Sequence, residues 1–243
     1  SVRVRTMPDR APDPAINCSM PTPDAPAAAL RALVFDMDGT LIATDDLHFS
    51  AFTDLFTGLG RPLPRGEYDA RIAGRPNREI FRDYFPDLTE ADRQGLSERK
   101  EAAFRALNVR WEPLAGLTEL LGWGRARGHA LALVTSAPRE NVTHLLAAVG
   151  LTDAFSPVVY ADELPRGKPD PLPYRTALRE LGLGAGEAVV FEDSVNGVRS
   201  GVGAGIFTVG LATTQHPAAL GAAGAGLVVR DFTDPELWRL LGA

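Results

Sequence analysis

The chain has 243 residues, enough for one large domain or for a core domain with a smaller one attached. Its composition, 45% hydrophobic and 23% charged, is ordinary for a globular protein. A formal charge of −6 without any basic stretch argues against binding to nucleic acid. No apolar run reaches the roughly 18 residues of a membrane span, so we expect no contact with a membrane.

The first 27 residues differ from the rest of the chain. They contain six of the 19 prolines and almost no apolar pattern, which predicts a disordered tail over residues 1–27. The same segment lacks the apolar stretch of a secretory signal, and Cys18 is the only cysteine, which excludes an internal disulfide. Both features predict a cytoplasmic protein.

Six short apolar runs predict the strands of a sheet, and helical patterns separate several of them. The predicted strands are Leu33–Phe35, Ala130–Val134, Val158–Tyr160, Ala188–Phe191, Ile206–Val209 and the weaker Leu227–Val229. The helical patterns among them are Glu140–Val149, Pro173–Leu181 and 194–204. Strands that alternate with helices of this length form βαβ units, so the sequence predicts an α/β fold with a parallel sheet.

A long segment between the first two strands interrupts this alternation. Residues 47–111 show no strand pattern and four helical ones, at His48–Leu59, Glu67–Ile72, Arg78–Tyr84 and Glu90–Leu107. We interpret the segment as a small helical cap inserted into a core that comprises residues 28–46 and 112–243. A cap at this point of the chain can close over the end of the sheet and exclude water. A purely structural helical hairpin is the alternative.

Two carboxylates, Asp36 and Asp38, directly follow the first predicted strand. Open α/β sheets bind ligands at the carboxyl ends of their strands. Carboxylates one residue apart repel each other unless a cation or a shared proton holds them together. The pair suits phosphoryl transfer, in which Asp36 attacks phosphorus and Asp38 handles protons. In isolation, an Asp-Gly turn at a strand end would explain the same residues.

Three further loops offer polar groups beside predicted strands and helices. Thr135, with Ser136 next to it, can donate a hydroxyl hydrogen bond to a phosphoryl oxygen, and Lys168 offers a compact positive charge. Glu192 and Asp193 add oxygens for Mg²⁺, which prefers a few carboxylates together with water and phosphate. Taken singly, these groups could be a helix cap, a surface lysine and an acidic helix start.

The four loops together resemble the motifs of the haloacid dehalogenase-like hydrolase superfamily. The matching stretches are Asp-Met-Asp-Gly-Thr-Leu, the threonine after the second strand, Gly-Lys-Pro-Asp-Pro and Phe-Glu-Asp-Ser, in that order. The resemblance implies a Rossmann-like core with helices on both faces of the sheet, a Mg²⁺ cofactor and an aspartyl-phosphate intermediate. It assigns the nucleophile to Asp36, the acid/base to Asp38, phosphate contacts to Thr135 and Lys168, and metal ligation to Asp36, Asp193, the Asp38 carbonyl and, more variably among members, Glu192.

The helical insert resembles the cap of the β-phosphoglucomutase and sugar-phosphate phosphatase branch. That likeness implies that His48 lies near the substrate and the acid/base, and that Gly74–Arg78 is a cap loop reaching into the site. From this loop we expect Arg75 and Asn77 to contact the substrate. Where such mutases carry an arginine, this chain offers Asn77 with Arg78 one place on, which favours a phosphatase over a mutase.

These residues predict a Mg²⁺-dependent phosphatase that hydrolyses a small phosphorylated metabolite, a sugar or polyol phosphate, through an aspartyl-phosphate. A β-phosphoglucomutase-like phosphomutase is the alternative, because it uses the same core and differs in its cap. A third hypothesis is a phospho-ligand sensor that has lost catalysis, against which the complete set of acidic residues and Lys168 argues. We expect a monomer or a weak homo-oligomer.

Overall fold

A computed structural model of the protein describes residues 30–243. Six parallel strands form one sheet in the order β3-β2-β1-β4-β5-β6, which places the first strand near its centre. The strands are β1 (Ala32–Phe35), β2 (Ala130–Thr135), β3 (Val158–Tyr160), β4 (Ala188–Glu192), β5 (Phe207–Leu211) and β6 (Leu227–Val229). The tail predicted for residues 1–27, which includes Cys18, lies outside the described residues.

The central strands are buried on both faces because helices cover each side of the sheet. Every residue of β1 and β4 is buried, which explains why both strands read as continuous apolar runs rather than as alternating ones. Successive side chains point to opposite faces, so Leu33 and Phe35 join one core cluster while Ala32 and Val34 join the other. In the first cluster the rings of Phe35 and Phe191 stack with centroids 4.9 Å apart.

Five helices lie between β1 and β2 in the chain, and we call the first four of them the cap. They are α1 (Asp45–Gly58), α2 (Arg65–Arg71), α3 (Asn77–Tyr84) and α4 (Glu90–Arg105). Helix α4 begins after Thr89, whose hydroxyl oxygen accepts a hydrogen bond from the Asp92 N–H at 3.2 Å. Aromatic residues such as Phe56 and Phe81 form a hydrophobic cluster inside the cap, separate from the clusters that flank the sheet. The cap therefore has a core of its own.

Six α-helices follow in the remainder of the described chain: α5 (Leu117–Ala126), α6 (Arg139–Ala148), α7 (Leu172–Leu181), α8 (Val195–Gly203), α9 (Pro217–Ala222) and α10 (Pro235–Leu241). Helix α8 lies so close to β5 that a Cβ at Gly201 would be 2.6 Å from the Thr208 hydroxyl oxygen. The small residues of this helix thus allow it to pack closely on the sheet.

The predicted α/β fold with a parallel sheet and helices on both faces is confirmed. All six predicted strands are present, with ends that differ by no more than two residues. Helices α5 and α10 are not among the predicted elements, since Gly122 and Gly124 weaken the helical pattern of the first and the second is short. Helix α1 begins at Asp45, two residues before the predicted start of the cap, and the domain boundaries stay predictions.

No helix between residues 30 and 243 combines the length and the apolar character needed to cross a membrane.

Candidate active site

Asp36, the first residue after β1, lies against a buried lysine 132 residues further along the chain. Lys168 Nζ donates hydrogen bonds to Asp36 Oδ1 at 2.6 Å, to the Val134 carbonyl oxygen at 2.9 Å and to Glu192 Oε1 at 2.6 Å. Burial raises the pKa of Asp36 to about 7, although the charge of Lys168 opposes the shift. Burial disfavours the charged form of Lys168 and would lower its pKa. The negative charges of Asp36 and Glu192 together outweigh burial and raise the pKa of the lysine. The predicted nucleophile and the predicted phosphate-binding cation are therefore in direct contact.

Glu192 holds this lysine in place. Its Oε1 accepts hydrogen bonds from Lys168 and from the Tyr174 hydroxyl at 3.0 Å, while its Oε2 accepts from the Ser194 N–H at 3.1 Å and hydroxyl at 3.0 Å. The side chain is fully buried, and a Cβ at Gly197 would lie only 1.8–2.0 Å from its carboxylate atoms. Each oxygen already accepts two hydrogen bonds. Glu192 thus anchors Lys168, and its direct ligation of a metal stays a prediction.

Three carboxylates at the ends of β1 and β4 are close enough to share a metal ion. Oxygens of Asp36, Glu192 and Asp193 lie within 4.8 Å of one another. Burial and the negative charge of Asp36 raise the pKa of Asp193 well above its usual range, so the cluster strongly favours a compensating cation. Gly39, with φ of +76°, leaves space here, because a Cβ would lie 2.1 Å from Asp193 Oδ2. An acidic, all-oxygen donor set of this kind suits a hard divalent cation.

Asp38 is linked to the cap by two hydrogen bonds in series. His48 Nε2 of α1 lies 3.2 Å from Asp38 Oδ1, and Lys100 Nζ of α4 lies 2.7 Å from His48 Nδ1. An ammonium group only donates, so Nδ1 of His48 accepts and Nε2 carries the proton that points at Asp38. Burial would raise the pKa of Asp38, but the hydrogen bonds from His48 and Thr44 and the nearby positive charges together outweigh burial and lower that pKa. His48 thus lies beside Asp38, the predicted acid/base, as the sequence leads us to expect.

The loop after β2 brings the two predicted phosphate-binding hydroxyls to the same place. Thr135 is buried, and its hydroxyl oxygen accepts a hydrogen bond from the Ala137 N–H at 3.0 Å, which leaves the hydroxyl proton for another acceptor. Thr135 and Ser136 line one cavity of 460 Å³ together with Asp36 and Asp38. Their contact with phosphate stays a prediction.

Both predicted substrate contacts from the cap loop line this cavity. Asn77 Nδ2 donates to Glu101 Oε1 at 2.5 Å, so the amide oxygen of Asn77 is the group left for a substrate. Arg75 instead pairs with Asp83 at 2.7 Å and with Glu79 at 3.5 Å, which draws its guanidinium group along α3. The arrangement supports a substrate contact by Asn77 more directly than one by Arg75.

Three buried polar residues of this region are absent from the sequence predictions: Tyr174, Glu101 and Asn141. Tyr174 meets Glu192 across 18 residues of chain, and Glu101 meets Asn141 across 40. Each lies inside an ordinary helical pattern, where a single polar residue indicates an exposed position. No spacing in the sequence marks these contacts, because they depend on how the helices pack.

The only two lysines of the chain, Lys100 and Lys168, both line the cavity. Lys100 is 2% exposed, and the side chain of Lys168 is 7% exposed. Lys168 lies beside Asp36, the predicted nucleophile, and Lys100 lies beside His48 in the cap. All other cationic side chains, apart from the histidines, are arginines.

A divalent cation should stabilise the protein more at about pH 8 than at about pH 5. The pKa of Asp36 is about 7 in the folded protein against an ordinary value of 3.8, so the metal-free fold loses stability as the pH rises through this window. A cation offsets that loss by compensating the ionised carboxylate. Thermal unfolding with MgCl₂ or with EDTA at both pH values measures the difference, and an equal stabilisation at the two would contradict it.

Comparisons with known proteins agree with this geometry. Residues 33–211 match the family model described as haloacid dehalogenase-like hydrolase. A validoxylamine A 7'-phosphate phosphatase of Streptomyces hygroscopicus subsp. limoneus is 33% identical, covering 87% of this chain and 98% of its own. A phosphorylated carbohydrates phosphatase of Thermotoga maritima is also 33% identical, covering 73% of this chain and 82% of its own.

A solved structure shows the same fold. The crystal structure of CbbY from Rhodobacter sphaeroides in complex with phosphate superposes with a TM-score of 0.75 at 29% sequence identity. The match covers 84% of this chain and 96% of that one. The family match, the phosphatase relatives and the shared fold confirm the resemblance that the four loops predict. The chain belongs to the haloacid dehalogenase-like hydrolases.

Proposed function

We propose that the protein is a Mg²⁺-dependent phosphatase whose substrate is a sugar or polyol monophosphate. The observation that most supports this is the 2.6 Å contact between Asp36 and Lys168, in a cavity that Asp38 and Thr135 also line. The cavity thereby offers a nucleophile, a proton donor and a cation for the phosphoryl group, as phosphoryl transfer requires. Two relatives carry the name of phosphatases, and one of them acts on phosphorylated carbohydrates.

The proposed reaction has two steps. In the first, Asp36 attacks phosphorus, the bond between phosphorus and the leaving oxygen breaks, and Asp38 gives its proton to that oxygen. In the second, Asp38 takes a proton from water, which attacks phosphorus and releases phosphate from Asp36. Lys168 and Thr135 donate hydrogen bonds to the phosphoryl oxygens in both steps. The negative charge of a bound phosphate opposes the effect of His48 and favours protonated Asp38 before the first step.

A Mg²⁺ ion fits the acidic cluster. Asp36 and Asp193 would hold it, together with the backbone carbonyl of Asp38 that the family resemblance implies. When bound, the ion supplies positive charge that compensates the carboxylates and the phosphoryl oxygens. We assign Glu192 to the support of Lys168, because both of its oxygens accept two hydrogen bonds from the protein.

The charges of the cap argue for hydrolysis rather than for a phosphomutase. A mutase returns the phosphoryl group to a second hydroxyl and so must hold a bisphosphate, whose far end requires a cation. The cap cations that line the cavity are Arg75, Arg78 and Lys100. Each of them already pairs with a carboxylate of the cap. The far half of the cavity therefore suits uncharged hydroxyl groups better than a second phosphate.

A panel of phosphorylated metabolites, scored by phosphate release, tests this function. With MgCl₂ we expect release from one or more sugar or polyol phosphates, and excess EDTA should lower the rate by at least about 100-fold because the charges in the site lose their compensation. Renewed MgCl₂ should restore the rate. The parallel assay is the formation of glucose 6-phosphate from β-glucose 1-phosphate, with and without added bisphosphate.

Two outcomes would overturn the assignment. If the pure protein with MgCl₂ releases phosphate from no ester of the panel, the enzyme is not a phosphatase. If isomer formation outpaces phosphate release, the phosphomutase is the better description.

A further inference from the structure

Glu101 lies where three segments that line the cavity meet. Its Oε1 accepts hydrogen bonds from Lys100 Nζ at 2.9 Å and from Asn77 Nδ2 at 2.5 Å, and its Oε2 accepts one from Asn141 Nδ2 at 2.6 Å. Lys100 belongs to α4, Asn77 to α3, and Asn141 to α6 of the core. The proposed reaction steps involve neither Glu101 nor Asn141.

The carboxylate of Glu101 is buried, with 6% of the residue exposed. Burial would raise its pKa, but the positive charges of Lys100 and His48 and the hydrogen bonds from Lys100 and Asn77 together outweigh burial and keep the pKa below its ordinary value. A buried charge needs such partners, since it is strongly unfavourable without them. A fully satisfied buried network also holds its members in a single arrangement. Glu101 therefore fixes the positions of the groups that surround it.

Lys100 connects this network to Asp38. The same Nζ that donates to Glu101 lies 2.7 Å from His48 Nδ1, and His48 Nε2 lies 3.2 Å from Asp38 Oδ1. An ammonium group on a flexible stem has no preferred direction of its own. Its direction toward His48 is set by its second hydrogen bond, the one to Glu101. The ring of His48 stacks on Phe104 with centroids 4.1 Å apart, which fixes the plane of the ring. The direction of Nε2 toward Asp38 within that plane thus depends on Glu101 through Lys100.

Asn141 ties the network to the core. Its amide oxygen accepts a hydrogen bond from Arg105 Nη1 of α4 at 2.6 Å, which turns the amide nitrogen toward Glu101. Asn141 is 1% exposed and lies near the start of α6, the helix that follows the Thr135–Ser136 loop. The helix next to the predicted phosphate contacts therefore also holds Glu101.

We propose that Glu101, held by Asn141, is a positioning residue for the proton transfer from Asp38 to the leaving oxygen. It acts through Lys100 and His48 and touches no reacting atom. The bond from phosphorus to the leaving oxygen breaks while the Asp38 proton moves to that oxygen, and Glu101 keeps the donor aligned. The inference rests on the proposed phosphatase function.

Such a role predicts a loss of activity that depends on the leaving group. Glu101→Gln and Asn141→Ala should each lower kcat/KM for phenyl phosphate by about tenfold or more, because phenolate is a poor leaving group that needs a proton. For p-nitrophenyl phosphate, whose nitrophenolate leaves readily without one, we expect a loss below about threefold. The constant kcat/KM is the one to compare, since it includes the departure of the leaving group and not the later hydrolysis.

The comparison of two esters also separates positioning from misfolding. A lower folded fraction reduces both constants equally, so it cancels in their ratio. Glu98→Gln is the matched control. Glu98 is an exposed residue of the same helix, and its carboxylate accepts a hydrogen bond from Gln94. Both kcat/KM values of this variant should equal those of the wild type. An equal loss on the two esters, or no loss on either, would overturn the role of Glu101. Wild-type protein that releases phosphate neither from these two esters nor from any ester of the metabolite panel would overturn the proposed function itself.

Discussion

Asp36→Asn should abolish turnover and leave the fold intact. The amide cannot attack phosphorus, so we expect phosphate release to fall by more than about 10³-fold, or roughly 4 kcal/mol of transition-state stabilisation. Asparagine has the shape of aspartate, and its amide oxygen can still accept the hydrogen bond from Lys168. Loss of the charge also relieves the repulsion that acts on Asp193. Without metal, the variant should therefore unfold at a temperature no lower than that of the wild type.

A trapping experiment links this loss of activity to the nucleophile. Brief incubation of the wild type with a radiolabelled substrate of the panel, followed by acid, should leave a protein-bound label that hydroxylamine removes, as expected for an aspartyl-phosphate. Asp36→Asn should carry no such label. Asp153→Asn, at an exposed position, is the matched control and should behave as the wild type. Turnover in Asp36→Asn would show that another residue attacks phosphorus.

Gly197→Ala should destabilise the protein and remove most of its activity. In a helix, alanine usually gains about 1 kcal/mol over glycine. Here the new Cβ would lie 1.8–2.0 Å from the buried carboxylate of Glu192, which must move and release Lys168. Overpacking costs about 1–3 kcal/mol and breaking a buried ion pair about 3–5 kcal/mol, so the steric effect exceeds the helix preference.

Urea unfolding and steady-state kinetics measure both consequences. We expect the free energy of unfolding to fall by at least about 2 kcal/mol and kcat/KM by at least about 100-fold. Gly203→Ala is the control on the same helix, because its Cβ would lie an ordinary 3.5 Å from Pro171, and it should be neutral or slightly stabilising. If the two variants behaved alike, Glu192 would not be the anchor of Lys168.

The motif residues could be predicted because their placement follows from local rules. A strand buried on both faces reads as an apolar run, and the residue that ends it lies at the edge of the sheet where ligands bind. Asp36 and Asp193 are each placed by this rule alone. The order of the strands also fixes that β1 and β4 are neighbours, which brings the two carboxylates together. The family resemblance confirmed by the comparisons rests on these positions.

The supporting residues could not be predicted, because their roles depend on distances between helices. Glu101 lies on α4 of the cap and Asn141 on α6, and the hydrophobic pattern that builds each helix does not record which polar groups meet. Glu192 shows the same limit in another way. Its position in the acidic cluster follows from the sequence, whereas its hydrogen bonds to Tyr174 and Ser194 emerge only from the packing of α7 and α8 on β4.

The burial of both lysines makes the cavity observable by a simple spectroscopic label. Protein grown with ¹⁵N-lysine would contain two labelled side chains, Lys168 beside Asp36 and Lys100 in the cap. An NMR spectrum of the side-chain nitrogens would then report phosphate binding and cap contacts as two separate resonances. Amine-directed attachment to a surface, in contrast, would find both lysine side chains shielded from reagent.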